Sequence, residues 1–385
     1  MNDFTGLTDY LIMKLRLYKN HIDRRLDMEK ELNLSLEMIG RTFCDDEELV
    51  HCENCIGAVA IPVGIAGPIT IHGANGLSHP YIPLATTEGA LVASINRGCK
   101  VIRESGGTTI MVDHVGATRG PVFEVKNIQE GREFSKWIQE ELENLDRIAQ
   151  ETSAHLKLKN IYSSQQGKYV YVRFQFDTDQ AMGMNMVTIA TTKIAEYVES
   201  KNKAHLLAVA GNFDTDKKPS WLNMIEGRGR KIWGEVIISE DTLKKMLHVT
   251  PRNIEKTVIA KCWGGSIMSG SMGFNAHFAN IVAAFFAATG QDLAHISEGS
   301  LGVTSAEVLE NGDLYFSVYL PDILLGIVGG GTKLKTQTEA RMITKTQTSD
   351  ELAEVLGAAV LAGELSLIAS IAEGSLAKTH EKLGR

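Results

Sequence analysis

The sequence predicts an α+β fold in which a small unit of strands and helices interrupts a larger, glycine-rich domain. Three observations predict it. Short apolar runs broken by Gly and Pro begin at Ile61, a more charged stretch with alternating strand and helix periods runs from Gly120 to Gly211, and the glycine-rich apolar texture then resumes. At 385 residues the chain exceeds the usual single-core size, which allows one to three domains and a buried cleft. Apolar residues at 44% and charged residues at 22% exclude disordered, collagenous and coiled-coil classes. The net charge of -8 argues against nonspecific nucleic-acid binding, which needs a cationic surface. Glycine is enriched, at 36 residues, and favours a ligand site lined by backbone.

Residues 1–50 carry Leu11, Leu15, Tyr18, Ile22 and Leu26 at helical spacing among charges, which predicts an amphipathic helix in a small N-terminal region. From Ile61 the runs broken by Pro62, Gly64, Gly67 and Pro68 read as strands and turns. Thr86-Thr87-Glu88 then precedes a helix closed by Gly106-Gly107. Between 120 and 210 the order is strand (122–125), helix (128–149), strands (156–162 and 169–176), helix (182–199) and strand (205–209). This is the split β-α-β-β-α-β unit of ferredoxin-like domains, inserted into a large domain built from 51–119 and 211–385.

No stretch reaches the roughly 18 uncharged apolar residues of a membrane span, and the amino terminus lacks a secretory pattern, so a cytosolic protein is expected. Five cysteines give no disulfide framework. Cys52-x-x-Cys55 has no second pair, and buried thiols fit it better than a zinc or redox site.

The segment between Lys261 and Asp292 holds no Asp, Glu, Lys or Arg and should be buried. Asp292, the first charge after it, is either a cap or a functional group. Gly326 to Thr332 is either a phosphate cradle or a tight turn. G-x-G-x-x-G between strand and helix, the P-loop, H-E-x-x-H and G-x-S-x-G are all absent. What remains are polar residues in apolar, glycine-rich surroundings: Glu88, Asp216-Lys217-Lys218-Pro219, Asp292 and His380. Acids, a lysine and a histidine suit carbonyl chemistry, the lysine for an oxyanion and the others for protons.

Glu53-Asn54-Cys55-Ile56-Gly57, Thr86-Thr87-Glu88-Gly89, Gln180-Ala181-Met182-Gly183-Met184-Asn185-Met186, Asp216-Lys217-Lys218-Pro219 and the Gly326–Thr332 run stand in the order of the signature segments of 3-hydroxy-3-methylglutaryl-coenzyme A (HMG-CoA) reductase. From about residue 50 to the end the chain resembles that family, in a form similar to its class I, biosynthetic branch. The resemblance implies reduction of HMG-CoA to mevalonate and coenzyme A with two hydrides from NADPH or NADH, the first committed step of isoprenoid synthesis. It also implies that the 120–210 unit binds the dinucleotide.

By the same resemblance, Lys217 would stabilise the thioester oxyanion, Glu88 would supply a proton to the aldehyde-level carbonyl, and Asp292 would organise both in one network. His380 would protonate the departing thiolate from a carboxy-terminal flap. Ser94, Asn96 and Arg97 would contact coenzyme A, and Arg119, Lys218, Lys261 and Asn280 the acidic acyl group, with His277 near it. Gln180, Ala181, Met182, Gly183, Met184, Asn185 and Met186 would meet the cofactor. The Glu53–Gly57 segment resembles the family's dimer element, which implies a homodimer or a multiple of one. Membrane and nucleic acid are not expected as partners.

Two positions depart from the family pattern: Gln180 replaces the usual aspartate, and Ala210 a common serine. No arginine near Ser153 and Ala154 matches a 2'-phosphate contact. The family's membrane anchor and its regulatory serine after the histidine are not expected. Two other readings stay open: the same site running oxidatively on mevalonate, and a coenzyme A thioester acyltransferase using Cys99.

Overall fold

The computed structural model describes residues 18, 20–32, 35, 37–42 and 50–374. Leu11, Leu15 and His380 lie outside the described residues. Helices α1 (His21–Leu32) and α2 (Glu37–Thr42) come first. On α1 the expected stripe residues Ile22 and Leu26 are half exposed, at 51% and 50%, so these two are not buried against the rest of the chain.

Strand β1 (Val63–Ala66) pairs antiparallel with β4 (Ile82–Ala85), and between them β2 (Ile71–Gly73) and β3 (Gly76–Ser78) form a hairpin. Helix α3 (Leu91–Glu104) buries Leu91, Ile95, Cys99 and Ile102, a 3–4 spacing that puts one face on the core. The long strand β5 (Thr108–Arg119) pairs in parallel with β2 at its start and then serves two further partners. Its first part pairs with β10 (Arg228–Ile238), and Ala117–Arg119 pair with β8 (Tyr169–Asp177). Gly116 lies at the switch with φ +109°, and a Cβ there would sit 2.3 Å from the carbonyl oxygen of Phe176, so only glycine allows the change of partner.

The inserted unit runs β6 (Val122–Glu124), α4 (Ile128–Glu140), α5 (Leu142–Thr152), β7 (Lys157–Gln166), β8, α6 (Met184–Lys201) and β9 (His205–Ala208). Its strands lie in the order β9-β6-β8-β7, all antiparallel. The single helix expected over 128–149 is two helices, because the backbone turns at Glu141. There the Glu141 carboxylate accepts from Asn144 and from the Tyr197 hydroxyl. Phe123, Phe134, Ile138, Leu145, Phe174, Val187 and Ile194 close this unit's own core.

The rest of the chain forms the second core. It comprises α7 (Trp221–Glu226), β10, α8 (Glu240–Leu247), α9 (Pro251–Thr257), a π-helical stretch at Val258–Gly265, α10 (Ser266–Ser269), α11 (Phe278–Thr289), a 3₁₀ turn at Leu293–His295 running into α12 (Ile296–Gly299), β11 (Val303–Val308), β12 (Leu314–Ile323), a 3₁₀ turn at Gly330–Lys333, α13 (Lys335–Ile343) and α14 (Ser349–Glu373). Helix α14 is capped by a Thr348–Glu351 capping box and ends at Gly374 in the left-handed conformation. It is the one helix, among the described residues, long and apolar enough to cross a membrane, and 83% of its apolar window is buried inside the protein.

The uncharged segment after Lys261 is only half buried. Helix α11 is in the core, whereas Trp263, Ile267 and Met268 stand exposed, Met268 at 87%. A charge-free run thus marks a surface of this chain as well as a core.

Helices α3 and α14 meet at glycine: a Cβ on Gly98 would lie 2.0 Å from the carbonyl oxygen of Ala362, a backbone atom with little freedom to retreat. Gly98→Ala should cost about 1–3 kcal/mol by overpacking, read as a lower urea midpoint at unchanged slope. An unchanged midpoint would show that the two helices are not held at this distance.

Candidate active site

The site is built around a buried cation. Arg228 opens β10 with no exposed side-chain surface, and every donor group is used: Nε donates to Thr118 Oγ1 (2.8 Å), Nη1 to Glu298 Oε1 (2.9 Å), and Nη2 to Asp216 Oδ1 (2.8 Å) and the Met184 sulfur (3.2 Å). A buried guanidinium is tolerated only when paired in this way. Beside it, Arg119 donates to Asp214 (3.1 Å) and Thr188 (2.7 Å), and Arg173 to Asn223 (3.0 Å) and the Gly227 carbonyl (3.1 Å). Burial, with Arg228 nearby, lowers Arg173 to about 10. Burial pushes the Asp322 carboxyl up to about 8, against the pull of Arg228 and with a further push from Glu298.

Lys217 sits above this network in a turn, with φ +57°. Its backbone N–H donates to Glu298 Oε1 (3.2 Å), and its ammonium pairs with Asp292 Oδ2 at 3.0 Å. Asp292 is cap and partner at once, because its Oδ1 accepts from the Ala294 N–H (3.0 Å). Burial alone would raise the Asp292 carboxyl. The Ala294 N–H, the Lys217 ammonium and His295 outweigh it and hold the group below its ordinary range. His295, fully buried, donates from Nδ1 to Glu298 (2.5 Å) and turns Nε2 toward Asp292 at 3.6 Å. Asp216, His295 and Glu298 have the geometry of a metal-binding set, but Arg228 already supplies the charge that a cation would bring to both carboxylates.

A cleft of about 660 Å³ opens next to this turn, lined by Pro219, Lys261, Ser266, Ser269, His277 and Asn280 among others. The Asn280 amide donates to Glu88 Oε2 at 2.7 Å, which brings Glu88 to the same rim. Glu88 lies outside the first turn of α3, where Thr86 Oγ1 accepts its N–H (3.0 Å). Within this chain no ion pair links Glu88 to Lys217; the lysine's carboxylate partner is Asp292. Lys218 folds back onto the Asp216 carbonyl (3.1 Å). Arg119 is buried under the turn rather than facing the cleft. Ser94 and Arg97 are engaged with Ser366 on α14, at 3.0 Å each, Arg97 also with Ser370, and Asn96 accepts from the Gly67 N–H (3.0 Å).

The turn from Gln180 to Met186 leads into α6, whose first turn has no acidic residue and no side-chain cap, so its N–H groups are open to an anion. Gly183, at φ +87°, has no room for a Cβ against Thr178. The Gly326–Thr332 run lies alongside: Ala181 bridges Val328, and a Cβ on Gly326 would meet the Met182 nitrogen at 2.5 Å. Gly183 and Gly326 thus let two backbone segments meet closely in a cradle of the kind that suits a phosphate. Gln180 points away from it; its side-chain oxygen accepts from the Ser349 N–H (2.7 Å) at the start of α14.

Sequence reading missed Arg228, His295, Glu298 and the buried Glu364, whose carboxylate accepts from the N–H groups of Ala276 (2.9 Å) and His277 (2.7 Å) and from the Thr304 hydroxyl (2.6 Å). A signal existed for two of them, since Asp292, His295 and Glu298 recur every third residue and so share one helical face. The acyltransferase reading fails. Cys99 is buried and its thiol is pushed up to about 12 by that burial, the opposite of an activated nucleophile. Cys52 is exposed and not buried as expected, while Cys55 is buried.

A family model described as hydroxymethylglutaryl-coenzyme A reductase matches residues 21–385. The chain is 43% identical to the 3-hydroxy-3-methylglutaryl-coenzyme A reductase of Methanothermobacter thermautotrophicus, over 98% of this chain and 99% of that one. It is 46% identical to that of Methanocaldococcus jannaschii, over 94% and 92%. In fold it resembles the class II 3-hydroxy-3-methylglutaryl-CoA reductase from Streptococcus pneumoniae bound to NADPH, with a TM-score of 0.70 at 16% identity, covering 96% of this chain and 97% of that one.

Asp322 gives the network a pH signature. With its carboxyl at about 8 when folded and near 4 when unfolded, the folded chain holds a proton that the unfolded chain has lost across that interval. Stability at this position therefore falls as pH rises through the window and levels off above it. Asp322→Asn should gain in thermal midpoint on the wild type progressively from about pH 5 to pH 8. Parallel profiles for the two proteins would contradict the raised carboxyl.

Proposed function

The chain belongs to the hydroxymethylglutaryl-coenzyme A reductase family, and on that premise we propose which side chains carry the reduction of HMG-CoA to mevalonate and free coenzyme A. The observation that carries the reading is the Lys217–Asp292 pair, 3.0 Å apart, beside a cleft that Lys261 and Asn280 line. NADPH, when bound at the cradle formed by the Ala181–Met186 turn and the Gly326–Thr332 run, supplies one hydride to each of the two reductions. NADPH is favoured over NADH because the solved relative of similar fold carries it.

In this reading Lys217 places its ammonium against the thioester oxygen as negative charge develops there, with Asp292 keeping the side chain aimed. Lys261 and Asn280 hold the acidic end of the acyl group. When the carbon–sulfur bond breaks, His380 gives a proton to the thiolate and the aldehyde stays in the cleft. Glu88, oriented by Asn280, then gives a proton to the oxygen of that aldehyde as it becomes the alcohol.

The site is shared between copies. Glu88 and Lys217 form no pair within one chain, while Val59, Val63, Ile65, Trp263, Ile267 and Met268 present apolar surface, the kind that a second copy covers. A homodimer, or a multiple of one, would bring the Glu88 and Asn280 of one copy to the Lys217 and Asp292 of the other. The protein acts in the cytoplasm, in keeping with its free thiols at Cys52, Cys99 and Cys262.

The purified protein should oxidise two NADPH per HMG-CoA. Lys217→Ala should lower kcat by about 10²–10³-fold or more at an unchanged melting temperature. Normal turnover in that variant refutes the role given to Lys217. Mixing inactive Lys217→Ala and Glu88→Gln subunits under exchange conditions should restore part of the activity. No recovery in a verified mixed dimer means that each chain carries a complete site.

A further inference from the structure

We propose that Glu298, acting with His295, is a positioning residue for this reduction. It fixes the backbone of Lys217 directly and, through the imidazole, the carboxylate of Asp292. The proposal rests on the reading of Lys217 and Asp292 given above and adds the groups that aim them.

One oxygen of Glu298 is the common point. Oε1, in a side chain with no exposed surface, accepts from the Lys217 N–H (3.2 Å), from Arg228 Nη1 (2.9 Å) and from His295 Nδ1 (2.5 Å). Lys217 is a non-glycine residue in the left-handed region, which persists only where the surroundings impose it, and Glu298 accepts the N–H of that very residue. His295 carries the same constraint onward: its Nε2 is buried, has no hydrogen-bond partner among the described residues, and faces Asp292 Oδ2 at 3.6 Å. Asp292 in turn holds the ammonium. The lysine is thus gripped at both ends, main chain and side chain, by groups that meet on one carboxylate. Because Arg228 locks Glu298 to Asp216 on the same turn, none of these atoms can drift alone.

A merely structural carboxylate would change stability and nothing else. Glu298→Gln in the full chain keeps the shape and loses the charge that gathers these donors. Expected are a kcat lower by about tenfold to a hundredfold with the KM for HMG-CoA within about threefold, the pattern of lost aim rather than lost binding. Without substrate, acetic anhydride should also label the Lys217 amine at least about threefold faster than in the wild type, as its pair with Asp292 loosens. A folded variant with wild-type kcat and wild-type labelling overturns the proposal.

If Glu298→Gln does not fold, His295 gives the second test. His295→Asn keeps a donor toward Glu298 but nothing facing Asp292, whereas His295→Gln can reach Asp292. Lower kcat in the first and partial recovery in the second support the positioning chain, and wild-type kcat in both sinks it. A wild-type protein that consumes no NADPH with HMG-CoA would overturn the reductase reading instead, and the labelling rates would still report whether Glu298 positions the lysine.

Discussion

Everything at this site depends on one desolvated guanidinium. Arg228 has no exposed surface, so its partners must be present and correctly placed. They come from distant parts of the chain: Thr118 from β5, Asp216 from the lysine-bearing turn, Glu298 from α12 and Met184 from the start of α6. Satisfying a single cation therefore assembles four segments, the Lys217 turn among them. Removing one carboxylate would leave Arg228 with a single counter-charge in a low-dielectric interior, so the two carboxylates support one another.

The frame that brings those segments together is simple. Strand β5 belongs to both halves of the molecule, changing partner at Gly116, so the inserted unit cannot move without moving the strand that carries Thr118 and Arg119. Helix α14 performs the matching task through the large domain. The Ser349 N–H at its start donates to the Gln180 side chain, Glu364 in its middle accepts from the Ala276 N–H in the loop at the cleft, and Ser366 and Ser370 accept from Arg97 of α3. The Gln180–Met186 turn, the cleft and α3 are thereby referred to one helix.

Legibility differed sharply between residues. The strands and helices of the inserted unit followed from periodicity, because each has one buried face and its pattern is local. The break at Glu141 did not, since it depends on partners at Asn144 and Tyr197 that a helical period does not reveal. Lys217 and Asp292 were recognisable as charges in apolar surroundings. Arg228 and Glu298 looked like ordinary charged residues, and Gln180 like a cofactor contact, although its amide serves the start of α14.

Taken alone, the amino-acid sequence determined the α+β class, the inserted unit, the family and the set of polar residues that could do carbonyl chemistry, because these are carried by local pattern and by motifs contiguous in the chain. Only the tertiary structure decided which of those residues meet. It turned Arg97 and Gln180 toward α14, left Ile259, Trp263, Ile267 and Met268 on the surface, and gathered Arg228, Glu298 and His295 beneath Lys217. The physical reason is that burial of charge is a property of three-dimensional packing: a residue's spacing says which face it lies on, and its pairing depends on what arrives from elsewhere in the chain.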